Sequence, residues 1–158
     1  MITEDDKKYL KRSVELAREA LKTGNSPFGS LLVSEEGEIL FEDHNRDADG
    51  DQTRHPEYAI AKWAAENLSA AERKSSIVYT SGEHCSMCSS AHGLAGLGRI
   101  VYASSSAQLR AWQKERGITE RSALKGLSIE EVINDTEIDG PDEELSQQVK
   151  QLQLEYYK

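Results

Sequence analysis

Cysteine is scarce in this chain, with only Cys85 and Cys88 among 158 residues. Two thiols spaced C-x-x-C cannot build a disulfide framework, so they read as metal ligands or as a redox pair in a reducing compartment. Long hydrophobic runs are missing too, and no stretch approaches the ~20 apolar residues that span a bilayer. The first twenty residues are charged and amphipathic and lack the apolar stretch of a secretory signal, so the expectation is a cytoplasmic protein without a membrane partner. Positive charge is in deficit, since 19 Lys and Arg stand against 28 Asp and Glu for a net charge of −9. Nonspecific affinity for nucleic acid comes largely from cations set on phosphates. That balance favours a small-molecule partner and disfavours nucleic acid, although several cations gather between Arg110 and Lys125. The acidic residues Glu130, Glu131, Asp135, Glu137, Asp139, Asp142, Glu143 and Glu144 read as a solvated surface. With three prolines, no linker, no repeat and no low-complexity tract, residues 1–158 are expected to form one domain.

What is present alternates between helical and strand patterns. Leu10, Val14, Ala17 and Leu21 fall at helical spacing, with Thr3 as cap and Gly24 as stop. Leu31-Leu32-Val33 and Ile39-Leu40-Phe41 flank Glu35-Glu36-Gly37 and read as a hairpin. Pro56 suits a first helical turn and opens an alanine-rich helix to Leu68. Ile77 to Thr80 and Ile100 to Tyr102 are strand candidates, each followed by a helix, from Met87 to Leu97 and from Ala107 to Arg116. That alternation predicts parallel pairing in the later part of a sheet that the hairpin makes mixed. Ser128 with Glu131 predicts a short capped helix, Thr136 to Ile138 a last strand, and Leu145, Val149, Leu152 and Tyr156 a terminal helix.

The chemistry concentrates in His55-Pro56-Glu57 and Cys85-Ser86-Met87-Cys88. A structural zinc takes four protein ligands, whereas a hydrolytic zinc takes three and keeps one position for water. His55, Cys85 and Cys88 make three, and Glu57 stands two residues from a ligand, where a carboxylate can move protons. A zinc ribbon would need a second cysteine pair. A redox pair would need neither His55 nor Glu57, though a non-enzymatic zinc or C-x-x-C redox module is the alternative from another class.

H-x-E followed by C-x-x-C is the signature of zinc-dependent nucleobase deaminases. The chain resembles the cytidine deaminase-like superfamily, and within it the small bacterial guanine, cytosine and tRNA-adenosine deaminase branch. Ser26-Pro27-Phe28-Gly29 and His44-Asn45 extend that resemblance over roughly residues 8 to 117. It implies a three-layer α/β/α fold with a mixed central sheet, zinc on His55, Cys85 and Cys88, and Glu57 as catalytic proton carrier. It further implies Asn45, Phe28, Gly29 and Ser81 around the substrate, and a homodimer whose last helix lies near the partner's site. The reaction implied is hydrolytic loss of an exocyclic amine from a nucleobase-like ring, with free guanine or a related base as lead substrate. Cytosine, a nucleoside, or adenosine in tRNA are the alternatives. His84 stands where the family has proline and is read as a pocket or surface residue, and Trp63, His92 and Trp112 as packing or surface residues.

Overall fold

A computed structural model describes all 158 residues. Helix α1 (Glu4–Lys22) begins at a reciprocal capping box, in which the Thr3 hydroxyl accepts the Asp6 N–H and the Asp6 carboxylate accepts the Thr3 N–H. Leu10, Val14 and Ala17 form its buried stripe, and Leu21 packs at the margin. The hairpin forms as its pattern predicts, with β1 (Gly29–Val33) antiparallel to β2 (Ile39–His44). β1 is buried throughout, while β2 lies at the sheet edge and leaves Ile39 exposed.

Helix α2 (Pro56–Asn67) carries Pro56 at its first position, where the missing N–H costs no hydrogen bond. A short α3 (Ala70–Ser75) follows, which the apolar pattern did not predict because the helix buries no residue. Its only sequence signal is the Ser69–Glu72 capping box. The chain continues through β3 (Ile77–Gly82), α4 (Ser86–Ala95), β4 (Ile100–Ser104), α5 (Ser106–Glu115), a single 3-10 turn, β5 (Ile138–Asp139) and α6 (Glu143–Tyr156). No helix is long and apolar enough to cross a membrane.

The sheet runs β2-β1-β3-β4-β5, with β1 antiparallel to both neighbours and β3, β4 and β5 parallel. One face sends Leu31, Val33, Tyr79, Val101 and Ala103 into a core completed by α1, Trp112 of α5 and the α6 residues Leu145, Val149 and Leu152. The other face packs Leu32 and Val78 on Ile60, Ala61 and Ala64 of α2 and on Leu97. This is the three-layer arrangement with a mixed sheet that the sequence led us to expect.

The late acidic segment requires a correction. Asp139 is not on a solvated surface but accepts from Arg99 at 2.8 Å and from the N-terminal amine, while Asp142 caps α6 by accepting the Leu145 N–H at 2.9 Å. The last strand is also displaced from the predicted Thr136–Ile138 to Ile138–Asp139, because Ile138 and Asp139 align with Ile100 and Val101. Tyr156, predicted on the buried stripe of the terminal helix, is 40% exposed.

Candidate active site

Two helices begin beside each other, and their first turns carry the ligands. His55 is the N-cap of α2, Cys85 the N-cap of α4, and Cys88 lies in the first turn of α4. His55 Nδ1 stands 3.6 Å from Cys85 Sγ and 3.4 Å from Cys88 Sγ, and the three ligand atoms lie within 4.8 Å of one another. Zn–N and Zn–S bonds of about 2.0 and 2.3 Å at a tetrahedral angle place N and S about 3.5 Å apart, so the spacing fits zinc. Neither extra imidazole joins them. His44 Nδ1 pairs with the Asn45 carbonyl at 2.8 Å, and His84 turns away.

The electrostatics of the triad favour a cation. Cys85 is held far down, to about 4, chiefly by the hydrogen bond from Cys88, with burial opposing and His55 assisting. Cys88 is pushed up by that same bond and by burial. His55 is raised to about 9 by its bond to Cys85 against burial, with Glu57 contributing. Helix N-termini favour thiolate over thiol, and sulfur and imidazole donors together suit zinc.

Glu57, one residue inside α2, is only 5% exposed. Burial is the main reason its carboxyl is pushed up to about 6, with His55 opposing and Cys85 reinforcing. Its Oε1 lies 3.1 Å from the Ser30 hydroxyl, which in turn lies 2.8 Å from Thr80 Oγ1. Sequence reasoning missed Ser30 and Thr80. The signal was a hydroxyl next to the apolar run of each strand, since a buried polar group needs a partner.

The remaining predicted residues differ in what they touch. Asn45 is 3% exposed, and its side chain donates to Ser26 and Asp47. Phe28 is half-buried beside Gly82. Gly29 faces α1: a Cβ there would sit 2.5 Å from Leu16 Cβ, and its N–H donates to Ser81 Oγ at 3.0 Å. Ser81 is fully buried, and its carbonyl accepts from Ser104 Oγ at 2.7 Å.

His84 is neither a pocket nor a surface residue, which corrects the sequence reading. It has no solvent exposure and meets His92 edge to face with ring centroids 5.4 Å apart, because its side chain reaches the inner face of α4. Trp112 is core, whereas Trp63 stacks on Phe41 beside a groove that His55 also lines.

Residues 3–104 match the family model for the cytidine and deoxycytidylate deaminase zinc-binding region. A probable cytosine deaminase of Schizosaccharomyces pombe is 31% identical over 68% of this chain and 65% of its own length. Guanine deaminase of Bacillus subtilis is 36% identical over 51% of this chain and 52% of its own length. The tRNA-specific adenosine deaminase of Bacillus subtilis is 26% identical over 80% of this chain and 83% of its own length. This chain therefore spans less than two thirds of the first two relatives. In fold it is similar to the solved guanine deaminase of Nitrosomonas europaea, with a TM-score of 0.71 and 19% identity over 99% of this chain and 86% of the other. The matched region spans His55, Glu57, Cys85 and Cys88, and the ligand atoms of His55, Cys85 and Cys88 converge with the spacing zinc requires; the chain belongs to the cytidine and deoxycytidylate deaminase family, in its zinc-binding region.

Proposed function

We propose that this chain is a hydrolase that removes an exocyclic amine from a nucleobase-like ring and releases ammonia, with free guanine or a close relative as its substrate. The observation that carries the reading is three zinc-ligand atoms converging beside one buried carboxylate. Zinc, when bound, brings the pKa of a water molecule toward neutrality and so makes a nucleophile available. Glu57 takes one proton of the attacking water and gives it to the ring nitrogen, then takes the remaining proton of the added hydroxyl and passes it to the departing amine as the ring carbon–amine bond breaks. Its raised pKa suits a group that must both accept and give a proton near neutral pH. Ser30 holds the carboxylate from the strand side. Asn45 orients the ring, and Phe28 and the neighbouring Gly29 and Ser81 backbone shape the pocket.

Adenosine in tRNA is the second reading, favoured by the relative that this chain matches over most of both lengths. The charge of −9 opposes it, because an RNA enzyme must neutralise phosphates around the pocket mouth. A cytoplasmic homodimer completes the proposal, and sedimentation in solution measures the assembly. The function is tested by offering guanine, cytosine, nucleosides and an adenosine-bearing tRNA stem and following ammonia and inosine. Turnover of a free base is expected. Inosine in the tRNA without turnover of any free base would promote the second reading, and a metal-free protein cycling between dithiol and disulfide would replace both.

A further inference from the structure

A carboxamide owns two N–H donors and one acceptor oxygen. In Asn45 both donors are taken: Nδ2 donates to Ser26 Oγ and, at 3.3 Å, to Asp47 Oδ2. Ser26 cannot reverse its bond, because its single hydroxyl proton goes to Asp47 Oδ2 at 2.6 Å while its backbone N–H goes to Oδ1 at 3.0 Å. The Asp47 carboxylate offers only acceptors. Turning the amide over would therefore set its oxygen against two other oxygens, a cost of about 1–3 kcal/mol for each buried group left unpaired. Asn45 Oδ1 accepts no hydrogen bond and is not among the polar atoms sealed from solvent.

The backbone ties the Asn45 segment to the segment that leads into His55. The Asn45 N–H donates to the Phe28 carbonyl at 3.0 Å, and the Arg46 N–H to the Arg54 carbonyl at 3.1 Å. Asn45 and His55 thus flank one backbone bridge, the first following β2 and the second opening α2.

We infer that Ser26 and Asp47 lock Asn45 as a pure acceptor, so the ring deaminated here presents an N–H other than those of its leaving amine. This rests on the deaminase reading above and narrows its substrate class. Free guanine carries such an N–H on each of its two rings, and free cytosine carries one. Adenine joined to a sugar carries none, since its ring nitrogens only accept and its amine is the group that departs. Ser26 and Asp47 act here as positioning residues, through Asn45.

The test measures ammonia release from guanine, from guanines methylated singly at N1, N7 and N9, and from adenosine, with the wild-type protein and Asp47→Asn. In the wild type, one of the methylguanines loses about 100-fold in kcat/KM, mostly through KM, because the acceptor is left facing a methyl group. Asp47→Asn lets the carboxamide turn its N–H outward. It loses about 10-fold on guanine and brings the ratio of guanine to the sensitive methylguanine below about 10, which a merely destabilising change would not do. Zinc content and melting temperature confirm that the variant folds, and the methylguanine series on the wild type decides the matter if it does not. Equal turnover of guanine and all three methylguanines, or an unchanged ratio in Asp47→Asn, overturns the acceptor lock while the deaminase reading stands. Ammonia from adenosine alone overturns the acceptor lock and the free-base substrate while the deaminase chemistry stands, and ammonia from no ring at all overturns both.

Discussion

A glutamate in the first turn of a helix is common, because the helix dipole favours it there. Glu57 differs in being buried beside His55 and in keeping a raised pKa rather than a lowered one. Glu57→Gln preserves shape and the contact with Ser30 but removes the exchangeable proton. Zinc content should stay at one per chain while turnover falls by about 10²- to 10⁴-fold; near-normal ammonia release would remove Glu57 from the mechanism. Cys88→Ala should behave differently and lose metal with activity, as elemental analysis would record, because only three protein ligands converge. The triad and Glu57 were legible in sequence because each pair is close in the chain and each chemistry needs a particular residue type. The orientation of Asn45 was not, since it depends on Ser26 and Asp47, 19 and 2 residues away.

At the scale of elements, the caps at Thr3 and Ser128 were readable and mark helix starts, whereas Asp142, read as surface, caps α6. Caps are local, so nothing distant can override them. Gly29 shows the opposite case. Read through the family resemblance as a pocket residue, it allows α1 to lie against β1, since a Cβ would come within 2.6 Å of Leu16, Ser13 and Ala17 atoms. Gly29→Ala should therefore cost about 1–3 kcal/mol in urea unfolding through overpacking. Zinc content should not change, because the α1 face of the sheet lies opposite the metal ligands. A wild-type unfolding midpoint would show that α1 yields freely. His84 belongs here as well: no sequence pattern says which way a residue between a strand and a helix will point, and its burial against His92 required both elements.

At the scale of the molecule, Arg99 joins the first helix to the last strand by bonding Asp6 of α1 and Asp139 of β5. Burial raises the Asp6 carboxyl, but Arg99, the Thr3 N–H and the Tyr79 hydroxyl outweigh it and hold the group at about 2 instead of 3.8. A depressed carboxyl contributes stability that is present above its unfolded pKa and lost as pH falls through the folded one. Asp6→Asn should thus be less stable than the wild type by about 2 kcal/mol at pH 6. That difference should shrink between pH 3.8 and about 2, and denaturant titrations at several pH values follow it. A difference that does not change with pH would mean that Asp6 acts by packing alone. The sequence by itself determined the His-Cys-Cys set, the carboxylate two residues from it, the first helix start and the mixed alternation of strands, because those properties reside in residue type and short-range spacing. Tertiary structure alone decided that His84 is core, that Asp139 is paired and that both amide donors of Asn45 are taken by Ser26 and Asp47. Each of these depends on a partner in another segment of the fold, and a one-dimensional pattern contains no information about which groups of separate segments folding will bring into contact.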